Sequence, residues 1–252
     1  MIDRATVTVS RDGDIATVTI ERPEKRNALD SATAAALGDA IKETADARII
    51  ILTGSGGAFC AGGDLEELAR WSELEPGEIA SVLYASFQRM IRSIRASDSI
   101  VIAAIDGAAV GAGMDLALAC DLRVASERAK LGQVWVGLGV IPGTGGAWMT
   151  QALAGPTRAA ELLLTGDLIR AEEALRAGLV NEVVPPERLM DAARALAERI
   201  LRHPPEGVVA NKRAMVNATQ AQLDAALDHA RQVQPTRFTS AEFKAAVRAR
   251  LG

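Results

Sequence analysis

Arg48-Ile-Ile-Ile-Leu-Thr-Gly54, followed by Ala58-Phe-Cys-Ala-Gly-Gly-Asp64-Leu65, sets an apolar strand before a Gly-rich turn and a helix start. The same order recurs at Ile100-Val-Ile-Ala-Ala-Ile-Asp-Gly107, followed by Val110-Gly-Ala-Gly-Met-Asp115-Leu116. Each copy puts small residues where the backbone N–H groups of a helix N-terminus are free to bind an anion. Two such turns facing one another can hold a single developing oxyanion from two sides. Main-chain devices of this kind often supply the largest single contribution in acyl chemistry.

Working outward, residues 5–20 alternate around Asp12-Gly13 and predict a β-hairpin. Asp30 or Ser31 caps a helix running to about Ala45, with Leu37 and Ile41 on one face. Helical patterns follow the first Gly turn over 64–71 and 78–97, and Leu122–Ala125 reads as a further strand. Beyond Pro142-Gly-Thr-Gly-Gly146, helices are predicted over 146–154, 157–165 and 171–177, with a strand at 180–184. Pro185-Pro186 marks a joint. After it the pattern is helical, over 187–202, 205–218, 220–232 and 239–249. The organisation expected is an α/β body over 1–186 and a helical region over 187–252, a kind of tail that often packs on another subunit.

The chain has 252 residues, 49% of them apolar, ample for a buried core. Lys and Arg number 28 against 32 Asp and Glu, so there is no polyanion footprint and nucleic-acid binding is not expected. Cys60 and Cys120 form no framework and no CxxC spacing exists, which points to a reduced, cytoplasmic setting without a metal site. Met1-Ile-Asp-Arg4 leads straight into strand residues, so no leader peptide is expected. The apolar stretch from Ile100 to Cys120 holds Asp106 and Asp115 and is not read as a membrane span. His203 and His229 lie in polar helical company, too isolated to build a triad or a metal site.

The glycines do not fit nucleotide motifs. Gly111 and Gly113 are followed by Leu116, and Gly143 and Gly145 by Trp148, so no GxGxxG is completed and no Walker lysine follows. No GxSxG elbow is present, and Cys60 beside the first turn has no histidine near it in sequence.

Taken together, the motifs resemble the enoyl-CoA hydratase/isomerase (crotonase) superfamily over essentially the full length. Arg22-Pro-Glu-Lys-Arg-Asn27-Ala-Leu29 resembles its RPxxxNAL segment, and Phe59-Cys-Ala-Gly-Gly-Asp64-Leu65 its F-x-A-G-x-D segment. Asp106-Gly-Ala-Ala-Val-Gly-Ala-Gly-Met-Asp115-Leu resembles N-G-x-x-x-G-G-G-x-E-L. Cys120-Asp121-Leu-Arg, Gly137-Leu-Gly-Val-Ile-Pro142-Gly-Thr-Gly-Gly146, and Thr165-Gly166 with Ala171-Glu-Glu-Ala174 and Gly178-Leu-Val180 complete the series in family order.

The resemblance implies a spiral of βαβ units in two sheets, a C-terminal helical region, and a homotrimer or dimer of trimers. It also implies an acyl-CoA thioester as ligand, with coenzyme A part of the substrate and no separate cofactor. Carried over, the Ala61 and Ala112 amides bind the thioester oxygen. Ala61, Gly62, Gly63 and Asp64 lie along the CoA nucleotide portion, Gly111 lines the site, and Lys25 and Arg26 fall near the CoA phosphates. Lys244 and Arg250 are candidates to reach a neighbour's phosphates.

The pattern breaks at the acids. The family hydratases use two glutamates; the first falls at Asp115, one methylene shorter, and the second falls at Trp135 in Leu131-Gly132-Gln133-Val134-Trp135. An indole cannot exchange a proton near neutral pH, and general acid–base catalysis typically contributes about 10²–10⁴-fold. Plain hydration is therefore disfavoured. The readings left open are an enoyl-CoA isomerase or hydrolase using Asp115, an acid supplied by Glu66, Glu67, Glu73, Glu75 or Glu78, and an acyl-CoA-binding protein in which Trp135 lines the pocket. Family members that dehalogenate aryl-CoA thioesters also carry tryptophan here, but they need an aspartate near Gly143 that this chain lacks.

Overall fold

The computed structural model describes residues 6–252; the reading of Met1–Arg4 as lacking a leader lies outside them. Strands β1 (Val7–Asp12) and β2 (Ile15–Ile20) form the expected hairpin, pairing Val7 with Ile20 and Asp12 with Ile15. Helix α1 (Ser31–Glu43) is capped by Asp30, whose side chain accepts from the Thr33 N–H, and it buries Leu37 and Ile41. Strand β3 (Ile49–Gly54) leads through the first Gly turn into α2 (Leu65–Trp71). Helices α3 (Pro76–Leu83) and α4 (Arg89–Ala96) are joined by a π-helical turn, Tyr84–Gln88. Wider turns of this kind often mark functional ground; here it aims the buried Gln88 so that its Nε2 donates to the Gly143 and Leu227 carbonyls at 3.1 and 2.9 Å.

The second strand–turn–helix unit is β4 (Ile100–Ile105), β5 (Ala108–Val110) and α5 (Ala112–Ala119). Then come β6 (Leu122–Ser126), β7 (Lys130–Gly132), a 3₁₀ turn at Val134–Leu138, and α6 (Gly146–Thr165), which bends at Gly155 with φ +76° ahead of Pro156. Strand β8 (Ile169–Arg170), α7 (Ala171–Arg176) and β9 (Glu182–Val184) close the α/β portion. The six-stranded sheet runs β1-β2-β3-β4-β6-β9, parallel except for the β1–β2 hairpin, and a second sheet runs β5-β7-β8. Every residue of β4 is buried, as its unbroken apolar run requires of a central strand covered on both faces.

Two cores follow from those two faces. The larger joins Val18, Ile50, Leu52, Val101 and Ala103 to α1, α4 and α5. The other joins Ile49, Ile51, Ile102 and Val124 to Leu189, Ala193 and Ala197 of α8 (Leu189–Leu201). The region beyond 187 therefore covers its own sheet. The break expected near 219 does not occur: α9 (Pro205–Phe238) is one helix of 34 residues. Pro235 falls only in its last turn, and Leu223, Leu227 and Ala230 form a buried stripe beyond the expected gap. Lys212 on α9 is 3% exposed and fastens that helix inward: its Nζ lies 2.7 Å from Asp121 Oδ2 and donates to the Ser99 carbonyl at 2.7 Å. Last, α10 (Ala241–Leu251) sets Phe243 edge-on to Phe238, which in turn meets Trp71 of α2 edge-on.

Candidate active site

The segment 58–64 runs between two partners. On one edge the Leu29 N–H donates to the Gly62 carbonyl at 2.7 Å and the Asp64 N–H to the Leu29 carbonyl at 2.8 Å. On the other, the Cys60 N–H donates to the Ala108 carbonyl at 2.8 Å and the Val110 N–H to the Cys60 carbonyl at 3.1 Å. This bridging leaves the Gly63 N–H turned away from Leu29, toward the edge formed by β5 and α5. A Cβ added at Gly62, where φ is +103°, would stand 2.9 Å from the Val110 carbonyl and 3.9 Å from the Ala112 nitrogen. The two Gly turns thus face each other at backbone distance, which only glycine permits there.

Ala112 is the first residue of α5, preceded by Gly111 at φ +54°, ψ −121°. Among the described residues neither its N–H nor that of Gly63 donates to a protein acceptor. Ala61 differs. Its N–H donates to the Arg26 carbonyl at 3.0 Å, so the expectation that this amide faces the ligand is corrected. Position 61 faces the Arg26 side; Gly62, at φ +103°, breaks the alternation of an extended segment, so position 63 does not repeat it. On the facing turns the N–H groups of Gly62, Gly63 and Ala112 have no protein acceptor among the described residues. The resemblance places Gly63 along the CoA nucleotide portion; the positive φ at Gly62 that redirects its amide is not legible from strand periodicity.

The charged candidates are also redistributed. Asp64 is 4% exposed and caps α2, its Oδ1 accepting from the Glu66 N–H at 3.0 Å. Its Oδ2 lies 2.9 Å from Arg22 Nη2 and 3.0 Å from Lys25 Nζ. Burial pushes this carboxyl up, but hydrogen bonds from Lys25 and Arg22 outweigh burial and hold it below the usual range. Its side chain therefore turns inward rather than along a ligand. Lys25 is shared between Asp64 and Glu66, at 3.0 and 2.9 Å, while Arg26 is exposed in a left-handed turn at φ 50°. Lys244 pairs with Glu73 of the same chain at 3.2 Å, and Arg250 donates to the Gly137 carbonyl at 3.0 Å, so both have partners at home.

Asp115 is fully buried. Gln133 Nε2 donates to its Oδ1 at 2.9 Å and the Thr144 hydroxyl to its Oδ2 at 2.5 Å. The backbone N–H groups of Thr144 and Gly146 add two more donors. Burial pushes its acid up to about 6, against those four donors, which pull it down. Gln133, Thr144 and Gly146 were not singled out individually in the sequence. The signal was Gly145-Gly146 before a helix, where a free N-terminal amide demands an acceptor.

The other acids hold local partners. Glu67 accepts from the Ser31 N–H and hydroxyl at 2.8 and 2.6 Å, and Glu78 accepts from the Glu75 N–H at 3.1 Å. Trp135, in the 3₁₀ turn, is 7% exposed and its Nε1 has no hydrogen-bond partner. Its Cε2 lies 3.5 Å from where a Cβ on Gly111 would stand. Among the described residues no cluster of His, Cys, Asp and Glu is disposed to hold a metal, and no helix is long and apolar enough to cross a membrane.

Comparison with known proteins gives the family and the fold. Residues 10–250 match the family model described as Enoyl-CoA hydratase/isomerase. The chain is similar to a short-chain-enoyl-CoA hydratase of Clostridium acetobutylicum, 38% identical over 225 residues, which cover 88% of this chain and 85% of that protein. It superposes on an enoyl-CoA hydratase/isomerase from Mycobacterium paratuberculosis with a TM-score of 0.90 at 27% identity, covering 97% of this chain and 98% of the other. A further similar structure is an enoyl-CoA hydratase from Thermobifida fusca in complex with CoA, with a TM-score of 0.78 at 30% identity, covering 92% of this chain and 94% of that one.

Proposed function

The chain belongs to the enoyl-CoA hydratase/isomerase family and is an acyl-CoA enzyme of that family, and on that premise we propose that it carries out enolate chemistry on a CoA thioester between the Gly63 and Ala112 amides. The observation that carries this reading is the pair of unpaired N–H groups on facing Gly turns. As negative charge develops on the thioester oxygen, donors fixed in advance stabilise it without reorganising. One such donor contributes roughly 3–4 kcal/mol by mutational precedent.

The reaction best matched to a site with one carboxylate is movement of the double bond between C3 and C2. A proton leaves C2 to a base, the electron pair spreads onto the thioester oxygen, and the same proton returns at C4. Asp115, with its acid near 6, has an affinity suited to both halves of that transfer. Trp135 cannot take part in proton exchange, which counts against hydration through a second acid.

A second reading is favoured by the four donors that saturate Asp115: the carboxylate is a positioning group that fixes the start of α6 and, through α5, the Ala112 amide. The assay that tests the function offers trans-3-enoyl-CoA and trans-2-enoyl-CoA separately and follows the conjugated thioester absorbance. Gain of absorbance from the first supports isomerisation. Loss from the second, with 3-hydroxyacyl-CoA as product, replaces isomerisation with hydration. Thioester binding without either change leaves a hydrolase, detected by free thiol, or a binding protein.

Arg26 is the exposed cation of the 22–29 segment and is assigned to the CoA phosphates. Self-association as a trimer or dimer of trimers belongs to the same proposal, supported by the apolar side chains left open at Leu164 and Leu168, 76% and 51% exposed. A cytoplasmic setting is supported by two free, buried cysteines.

A further inference from the structure

We propose that Gln88 is a positioning residue for the reaction, holding one peptide unit from behind so that its N–H meets Asp115; the inference rests on the reading of Asp115 as a proton carrier. Gln88 is fully buried, and its Nε2 donates to the Gly143 carbonyl at 3.1 Å and to the Leu227 carbonyl at 2.9 Å. Both neighbours are acceptors, so only the amide nitrogen of the side chain can face them. The Gly143 carbonyl and the Thr144 N–H belong to the same peptide unit, and that N–H donates to the Asp115 carboxylate. Gln88 and Asp115 therefore grip one peptide from its two ends.

A trans peptide is planar, with its C=O and N–H directed opposite ways. A tilt that releases the carbonyl from Gln88 also swings the N–H away from Asp115. A donor on the carbonyl in addition polarises the amide, which strengthens the bond its N–H makes. The Thr144 hydroxyl, 2.5 Å from Asp115 Oδ2, rides on the residue that this peptide leads into. Both donors that Thr144 gives the carboxylate are thus set through the peptide that Gln88 holds.

The main chain supplies no substitute for this side chain. Gly143 is buried and lies ahead of α6, and among the described residues no backbone N–H donates to its carbonyl. The same arrangement runs back along the loop. Arg250 donates to the Gly137 carbonyl at 3.0 Å, Arg237 to that of Gly139 at 3.1 Å, and the buried Gln234 to that of Ile141 at 2.6 Å. Alternate carbonyls from 137 to 143 are held by side chains, and Gln88 takes the last, nearest Asp115. Gly143 leaves the room for this, since a Cβ there would overlap Gln234 Oε1. The π-helical turn that ends at Gln88 supplies its aim.

The test uses Gln88→Met, which keeps the length of the side chain and removes both donors. The Asp115 carboxyl carbon is followed in the ¹³C-aspartate-labelled full chain, its signal assigned by its loss in Asp115→Asn. Thr144, Gly146 and Gln133 meet that carboxylate as uncharged donors, and the Cys60 thiol that its charge reaches, pushed up to about 12 by burial, stays neutral. In Gln88→Met the Asp115 titration midpoint is expected to rise by about 0.5–1 pH unit, because a carboxylate short of donors holds its proton more tightly. On the CoA thioester that turns over, kcat is expected to fall about tenfold with KM within about twofold. Added to Asp115→Asn, Gln88→Met is expected to cost no further kcat, since it acts through that carboxylate. A purely structural Gln88 shows in unfolding alone and moves none of these. If Gln88→Met does not fold, Gln88→Asn, which draws the amide back from Gly143 by one methylene, is read in the same way. A midpoint or kcat unchanged in a folded variant, or losses that add in the double variant, overturn the inference while leaving thioester turnover intact. An unsubstituted chain that turns over no CoA thioester overturns the underlying reading instead.

Discussion

The carboxylate of Asp115, on α5, accepts the first backbone N–H of α6 at Gly146, and a side chain on Gly146 would overlap Asp115 Oδ1. The acid thereby couples the helix bearing the Ala112 amide to the helix that follows the Pro142–Gly145 loop. A buried carboxylate in that position has a thermodynamic consequence as well as a chemical one.

Asp115 keeps its proton to about pH 6 in the fold, whereas an unfolded aspartate loses it near pH 4. Between those values the native state binds more protons than the unfolded chain, so stability falls as pH rises through the window and levels off above about 6. The difference is on the order of 2–3 kcal/mol. Urea unfolding between pH 4 and 7 is expected to show this slope, and Asp115→Asn to remove it. A slope unchanged in the variant would assign the titration elsewhere.

The same variant separates the two readings of Asp115 in catalysis. As a proton carrier, its loss lowers kcat by about 10²–10⁴-fold with little change in thioester affinity. As a positioning group, Asp115→Asn turns one of the two acceptor oxygens into a donor facing donors, so its loss falls on thioester affinity and folding stability as well as on kcat. Steady-state kinetics alongside thioester titration distinguish them.

Gly113→Ala tests the amide pair. A Cβ there would overlap the Cys60 carbonyl, so the two Gly turns must move apart. Disturbing one oxyanion donor costs about 10²–10³-fold in kcat by precedent. Retained activity in a folded Gly113→Ala protein would remove the facing turns from the mechanism.

Lys212→Ala tests how α9 is held. Its removal leaves the buried Asp121 carboxylate without its cation, with the Val101 N–H still donating to it, and takes the Lys212 donor from the Ser99 carbonyl, expected to cost about 3–5 kcal/mol in urea unfolding. Arg213→Ala, one residue on, breaks an exposed pair with Asp98 at 2.6 Å and is expected to cost less than about 1 kcal/mol. Similar losses from the two would mean that burial does not set the strength of the Lys212 pair.

The sequence by itself determined the strand–turn–helix repeat, the Asp30 cap, the family, and the exchange of an acid for Trp135. These depend on local sterics, on periodicity and on residue identity, all of which are written along one dimension. Tertiary structure alone decided which amides are free. Ala61 is paired because Arg26, 35 positions earlier, returns to its side, and Gly63 is turned the other way by Leu29. It also decided that Asp115 meets Thr144 and Gly146, that Lys25 is already neutralised by Asp64 and Glu66, and that Trp135 carries an unpaired donor. A hydrogen bond or ion pair depends on distance and direction between groups far apart in the chain, and those are fixed only when the sheet and its covering helices come together.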